Sequence, residues 1–160
     1  MISKFQISHK WKKFGWILLI PSLVLGPFNV YYEFEPEFLS VRVFAIFNEV
    51  IIFSNPEDGP LRFITNNILD ELLAIGVIAG ALIIILSRET DEDEYIRLMR
   101  QEAMFWAFIV NSILLLLMVC FIYGMSFLHV MIFNLFTPLI LFVLRFQYVL
   151  YRSRHKAEAQ

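Results

Sequence analysis

The sequence predicts an all-α membrane protein with four transmembrane helices in an up-down bundle and a small extracytoplasmic loop subdomain. The chain is 59% hydrophobic and only 18% charged, whereas soluble domains are about 45–50% apolar and about 25% charged. The apolar residues also form long uncharged runs, and Lys and Arg are distributed unevenly around the ends of those runs. Together these observations predict several membrane crossings rather than one large soluble core.

The last two crossings follow from one uncharged run. Residues 103–144, 42 in all, contain no Lys, Arg, Asp or Glu. As a helix this run would extend about 63 Å, about twice the thickness of a hydrocarbon core. It therefore predicts crossings at about 103–123 and 127–148, joined by a tight turn at Gly124.

The first two crossings are shorter. The segment 14–32 has 19 uncharged residues, and the segment 72–87 has 16. Sixteen residues reach only about 24 Å as a helix, so the second crossing is predicted over 68–87. Its first turn then places Asp70 and Glu71 at the membrane interface.

The loop 33–67 has a mixed composition. Residues 38–47 and 50–53 are rich in β-branched and aromatic side chains, which favours a short β-hairpin that turns at Asn48-Glu49. An amphipathic surface helix is the alternative. The connector 88–102 is charged and is predicted to be a helix that continues into the third crossing.

The basic residues predict the orientation. Four lie before the first crossing, three in the connector, and three in the tail in addition to Arg145. The loop 33–67 has two, and the last turn has none. Because Lys and Arg concentrate in cytoplasmic segments, both termini and the connector are predicted to be cytoplasmic.

Asp70 and Glu71 are the candidate ligand or ion residues, because acids near a membrane are costly and often mark ion paths. Two structural roles are the alternatives. The acids could favour the helix dipole beside an asparagine N-cap, or pair with an arginine of the loop. The residues concerned are Asn66 or Asn67 for the cap, and Arg42 or Arg62 for the pair.

The last two crossings contain four polar residues that predict an interhelical hydrogen-bonded seam. With the turn centred near residues 124–125, Ser112 should face Thr137, while Asn111 and Asn134 should be offset by about one turn. A substrate cavity is the alternative. The seam comprises Asn111, Ser112, Asn134 and Thr137.

Arg145 follows the uncharged run and is predicted to pair with Glu102 at the cytoplasmic edge of the membrane. Its alternative is to reach lipid phosphate with no protein partner. Gly76 and Gly80 form a GxxxG pattern in the second crossing. This pattern predicts close helix packing, either within the bundle or in a homo-oligomer.

The sequence contains no pattern typical of a nucleic-acid, phosphate-binding, catalytic or metal site. The net charge of −2 gives no footprint for nucleic acid. Cys120 is the one cysteine, and no glycine-rich phosphate loop, catalytic triad order or HExxH motif occurs. His129 is predicted near the outer interface, whereas His9 and His155 are predicted on the cytoplasmic side and cannot complete a metal site with it. Neither a metal nor a cofactor is therefore predicted.

Several short segments resemble a family of uncharacterised small four-helix bacterial inner-membrane proteins, often encoded beside a helix-turn-helix regulator. The segments are NNILDE at 66–71, SRE at 87–89, EDEYI at 92–96, FIYG at 121–124 and RFQ at 145–147. The resemblance covers most of the chain and implies the bacterial inner membrane and a regulatory partner. It implies no catalytic residues.

These observations favour a non-enzymatic regulatory or complex-forming membrane protein, with the bilayer and a membrane or cytoplasmic protein as its partners. The alternative is a small transporter or channel-like subunit that uses Asp70 and Glu71. A transporter is expected to place several ionisable groups near the midplane, whereas the midplane here has only amides and hydroxyls.

Overall fold

The computed structural model describes residues 7–32, 34, 36–45, 61–89 and 93–158. The described residues are mostly helical, at 80%, and they confirm four helices that are long and apolar enough to cross a membrane. A short two-stranded sheet accompanies them. The helices are α1 Trp11–Tyr32, α2 Leu69–Leu86, α3 Glu94–Phe121 and α4 Met125–Glu158.

The chain divides into two compact units. The first unit combines Met1–Pro21 with Gly76–Gln160, and the second unit is Ser22–Ile75. The helix α1 continues through both Pro21 and Pro27.

In the first unit, α3 and α4 form an antiparallel pair. The helix α3 is continuous from Glu94, so the end of the connector and the predicted third crossing are one element. Gly124 adopts a positive φ of 71° in the turn, a conformation that glycine reaches without steric cost. Apolar side chains at helical spacing form the core between the two helices: Ile96, Met99, Ala103, Ala107, Phe142, Phe146 and Leu150.

A second core in the same unit brings α1 and α2 against α4. It is formed by Leu19, Val77, Ala81, Ile84 and Val143. The helices α1 and α2 approach closely because glycines occupy the contact on both. A Cβ added to Gly80 would lie 2.8 Å from the backbone nitrogen of Leu19, closer than real side chains approach.

The second unit contains the hairpin, whose first strand lies within the predicted segment 38–47. Strand β1 (Ser40–Ala45) pairs antiparallel with β2 (Arg62–Asn67), with Ser40 opposite Asn67. The second strand was predicted at 50–53 with a turn at Asn48-Glu49, and both lie outside the described residues. The sequence pattern did not indicate the strand that pairs with β1. In that segment, asparagine and threonine do not alternate regularly with apolar residues as they would in a half-buried strand.

The helices expose large apolar side chains over most of their surface. Phe108 is 70% exposed and Phe121 is 76% exposed on α3, and Leu135 is 67% exposed on α4. Soluble monomers rarely present such continuous apolar surfaces. This exposure fits helices whose outer faces contact lipid.

Candidate functional site

The most deeply buried acid of the described residues, Glu89, lies three residues beyond the end of α2. Its side chain is 1% exposed and forms ion pairs with two cations that are distant in sequence. Lys12, at the start of α1, donates to Oε1, and Arg154, near the end of α4, donates to Oε2 at 3.2 Å. Each carboxylate oxygen therefore has its own cation, which offsets the cost of burying the charge.

Arg100 supplies the third cation of this region from α3. Its guanidinium donates to the backbone carbonyls of Ile85 at 2.9 Å and of Ser87 at 3.2 Å. These carbonyls belong to the C-terminal end of α2, where a cation is favoured by the helix dipole. The same guanidinium lies 5.0 Å from the ring centroid of Phe146 on α4. Arg100 thus ties α2, α3 and α4 together.

The segment before α1 pairs with the segment after α2. Ile7 forms a parallel bridge with Ser87, through hydrogen bonds from Ile7 N to Leu86 O and from Arg88 N to Ile7 O, both 2.9 Å. His9 Nδ1 lies 3.0 Å from the carbonyl oxygen of Arg88. This pairing places Lys12 beside Glu89. We define the basal cluster as Lys12, Glu89, Arg100 and Arg154.

In the second unit, the two predicted ligand candidates have amide partners. Asn29 of α1 is 7% exposed, and its Nδ2 donates to Asp70 Oδ1 at 2.6 Å. Asn66 Nδ2 donates to Glu71 Oε1 at 2.9 Å. Both acids lie in the first turn of α2, so they also favour the helix dipole.

The predicted capping role falls to Asn67. Its Oδ1 accepts a hydrogen bond from the backbone N–H of Leu69 at 3.1 Å, and its Nδ2 donates to the carbonyl of Pro36 at 2.9 Å. One free amide of α2 is thereby satisfied. The side chain of Arg42, one of the two predicted arginine partners, is exposed.

The polar seam differs from its predicted pairing. Asn134 Nδ2 donates to Asn111 Oδ1 at 3.2 Å, whereas Ser112 and Thr137 donate to carbonyls four residues back in their own helices. The reason is the position of the turn. Because α3 ends at Phe121 and α4 begins at Met125, the turn is centred on residue 123, which brings the two asparagines to nearly the same depth.

Arg145 has a different partner from the predicted one. Its Cζ lies 5.1 Å from the ring centroid of Trp106. Within the part of the chain that the structure describes, no ion pair of 4.0 Å or less joins Arg145 to Glu102. Glu102 and Trp106 are four residues apart and share a face of α3. Arg145 thus reaches the expected face, but its guanidinium lies over the ring.

Of the two predicted packing glycines, Gly80 meets α1 of the same chain. A Cβ on Gly80 would lie 2.9 Å from the carbonyl oxygen of Gly15. Gly76 is buried. The contact at Gly80 corresponds to packing within the bundle, the first of the two predicted uses of this pair.

The basal cluster was not predicted, although Arg100 left a signal in the sequence. Arg100 falls on the same helical stripe as Ile96, Met99, Ala103 and Ala107, which form the buried face of α3. A cation on an apolar stripe indicates a buried charge with a specific partner. Glu89 has no comparable signal, because it lies in a connector where charged residues are expected.

The basal cluster joins all four helices or their ends. It can therefore hold the helices in position and place charged groups at their ends. No group of three or more His, Cys, Asp or Glu that could hold a metal ion occurs among the described residues. Comparison of the chain with protein-family models, curated proteins and solved structures finds no match.

Proposed function

We propose that this chain is a non-enzymatic membrane protein of the bacterial inner membrane that binds a protein partner at its cytoplasmic end. The proposal includes cytoplasmic N- and C-termini and membership of the four-helix family that the sequence resembles. Four long apolar helices and the uneven distribution of Lys and Arg support the membrane topology. The family's regulatory neighbours support a regulatory or complex-forming role.

The lengths of α3 and α4 support a binding surface outside the membrane. They have 28 and 34 residues, which correspond to about 42 Å and about 51 Å of helix. A hydrocarbon core is about 30 Å thick, so both helices would extend beyond it. We refer to the N-terminal part of α3, residues 94–101, and the C-terminal part of α4, residues 146–158, as the helical extension.

The extension has its own packed interior. Ile96 and Met99 of α3 pack in the same buried cluster as Phe146 and Leu150 of α4. Apolar contacts of this kind hold two helices at a defined rotation about their axes. The extension is therefore a rigid pair of helices rather than two independent ends.

The observation that carries the proposal is the basal cluster. Lys12 and Glu89 attach the start of α1 and the segment after α2 to α4 through Arg154, and Arg100 attaches α3. A surface held in one conformation binds a partner with a smaller loss of entropy than a flexible surface does. The exposed side chains of the extension include the charged or polar Glu94, Arg97, Gln101 and Arg152, interspersed with apolar and aromatic ones such as Leu98 and Tyr151.

The mixture of charges favours a protein partner. Exposed residues of both signs lie within one turn of each other at Glu94 and Arg97. Complementary charges of this kind set the specificity and the association rate of protein complexes. They provide no continuous basic surface of the kind that binds nucleic acid.

The proposal is tested by affinity purification of the tagged full chain from native membranes, followed by identification of the proteins that co-purify. We expect Arg97→Glu to reduce recovery of the partner about tenfold, because reversing an interfacial charge costs on the order of 1–2 kcal/mol. Glu37→Lys, a charge reversal at an exposed residue of the second unit, is the matched control. Equal recovery from the two variants, or recovery of no partner, would contradict the proposal.

One observation favours the alternative function of a small transporter or channel-like subunit. The buried Asn29 donates from Nδ2 to Asp70 Oδ1 at 2.6 Å, and its Oδ1 is buried without a hydrogen-bond partner among the described residues. Amide and carboxylate oxygens are ligands for hard cations. This function predicts loss of ion flux in Asp70→Asn with normal expression. The complex-forming function predicts that the same variant retains its partner.

A further inference from the structure

Arg145 lies at the boundary of the apolar part of α4. It is the first charged residue after the uncharged run 103–144, and its side chain is half-buried. Its guanidinium lies over the ring of Trp106, with Cζ 5.1 Å from the centroid. The ring attracts the cation but accepts none of its five N–H groups as a carbonyl or carboxylate oxygen would.

Arg100 and Arg145 differ in the groups that accept hydrogen bonds from their guanidinium N–H groups. Both lie near an aromatic ring, but Arg100 also donates to two backbone carbonyls. For Arg145, no carboxylate of the described residues lies within 4.0 Å. A cation next to apolar surface requires an anion or a path to water. Among the described residues, no carboxylate supplies the anion that Arg145 requires.

The position of Arg145 along α4 indicates where that anion comes from. Arg145 follows Met125, the first residue of α4, by 20 residues, or about 30 Å of helix. This distance equals the thickness of the hydrocarbon core. If α4 begins at one membrane interface, Arg145 lies at the other, at the depth of the lipid phosphates. Trp106 and Tyr148 beside it are 39% and 56% exposed, as is typical of aromatic residues at a membrane interface.

We propose that Arg145 and Trp106 form a binding site for an anionic phospholipid. The planar guanidinium would donate two parallel N–H groups to the phosphate oxygens, and the Trp106 ring would hold the guanidinium and contact the glycerol and upper acyl chain. A single cation without a carboxylate partner among the described residues matches a lipid with one net negative charge. In a zwitterionic lipid, the ammonium group already neutralises the phosphate. This site rests on the membrane insertion that the proposed function includes.

Glu102 provides a test of the competing arrangement. It shares a face of α3 with Trp106 and is exposed, so it is the carboxylate that could replace a lipid at Arg145. If lipid phosphate binds Arg145, removal of the Glu102 charge leaves lipid binding unchanged or strengthens it. If Glu102 is the true partner, Glu102→Gln and Arg145→Gln destabilise the protein equally, and lipid type has no effect.

The experiment is native mass spectrometry of the full chain purified in mild detergent and titrated with phosphatidylglycerol or phosphatidylcholine. We expect selective retention of phosphatidylglycerol, reduced about tenfold in Arg145→Gln, because a charge-assisted hydrogen-bonded contact is lost. Arg145→Lys should retain an intermediate amount, since lysine cannot form two parallel bonds. Trp106→Leu should weaken retention less than Arg145→Gln, and Glu102→Gln should not weaken it.

Arg152→Gln is the matched control, because Arg152 is an exposed arginine on the same helix. Equal losses in Arg152→Gln and Arg145→Gln would mean that retention reflects general positive charge, and would overturn the site. If Arg145→Gln fails to fold, Arg145→Lys and thermal stabilisation of the wild-type chain by short-chain phosphatidylglycerol decide the matter. Inorganic phosphate at the same concentration should give no stabilisation.

Failure of this site is distinguishable from failure of the membrane assignment. Extraction of membranes with alkaline carbonate reports insertion independently of lipid type. A chain that stays in the membrane pellet but retains both lipids equally lacks the phospholipid site. A chain released by carbonate overturns the membrane assignment itself.

Discussion

Two groups of carboxylates lie at the two ends of α2, and they are stabilised in different ways. Asp70 and Glu71 occupy its first turn, are exposed, and accept hydrogen bonds from the neutral amides of Asn29 and Asn66. Glu89 lies just beyond its last turn and is buried between two cations. The difference teaches that proximity to a long apolar helix does not identify the acid with the most demanding environment. Burial and the number of partners do.

The largest expected effect is at Glu89. Glu89→Gln keeps the shape of the side chain but leaves Lys12 and Arg154 facing each other without a counterion. We expect the free energy of unfolding to fall by about 3 kcal/mol, near the lower end for breaking a buried ion pair. Thermal and denaturant unfolding in detergent measure it.

Glu94→Gln is the control for that change, because Glu94 is an exposed acid in the first turn of α3. It should alter stability by no more than about 0.5 kcal/mol. If Glu89→Gln and Glu94→Gln lower the free energy of unfolding by the same amount, the buried acid does not stabilise the protein more than the exposed acid does.

An intermediate effect is expected where the C-terminal half of α2 meets α1. Gly80→Ala places a Cβ 2.8 Å from the backbone nitrogen of Leu19 and 2.9 Å from the carbonyl oxygen of Gly15. Backbone atoms cannot yield as a flexible side chain can, so we expect a loss of about 2 kcal/mol from overpacking. The resulting shift of α1 should also weaken the contact between Lys12 and Glu89.

Gly26→Ala is the matched control in α1, because a Cβ there meets no atom within 4 Å. Alanine is favoured over glycine inside a helix by about 0.5–1 kcal/mol, so this variant should be slightly more stable than the wild type. Chemical denaturation of both variants under the same conditions is the measurement. A stable Gly80→Ala variant would show that α1 and α2 do not approach this closely.

The smallest effect is expected at the other end of α2. Asp70→Asn retains an oxygen that can accept the hydrogen bond from Asn29 and loses only the favourable interaction with the helix dipole. We expect a loss of about 0.5–1 kcal/mol, with Glu71→Gln as the control on the neighbouring exposed acid. If Asp70→Asn lowers the free energy of unfolding as much as Glu89→Gln does, the acids at the two ends of α2 do not differ in their contribution to stability.

Several features of the fold were predictable because they depend on local composition. Four apolar runs of sufficient length predict four helices, and the charged connector predicted a helix that continues into the third crossing, as α3 does. The second strand was not predicted. The segment Arg62–Asn67 pairs with β1 across a long connection, and pairing between segments distant in sequence leaves no local pattern.

The candidate site was predicted less completely. The residues Asn111 and Asn134 were identified as a seam, but their pairing depended on a turn whose centre was placed one to two residues too late. Arg145 was expected to pair with a charge and lies over a ring instead. Arg145 reaches the expected face of α3, where the ring of Trp106 attracts its guanidinium. The seam differs because the turn lies earlier than predicted, which shifts the depths at which residues of α3 and α4 meet. A small error in register therefore changes the partner.

The sequence by itself determined the number of long apolar helices and the uneven placement of the basic residues, because each of these is a property of a continuous segment. The tertiary structure alone decided which charges are buried and what neutralises them. Lys12, Glu89 and Arg154 are separated by 77 and 65 residues, and each is unremarkable in its own segment. They form one cluster because the packing of the helices brings three chain segments to the same point, where a buried carboxylate is stable only with its cations in place.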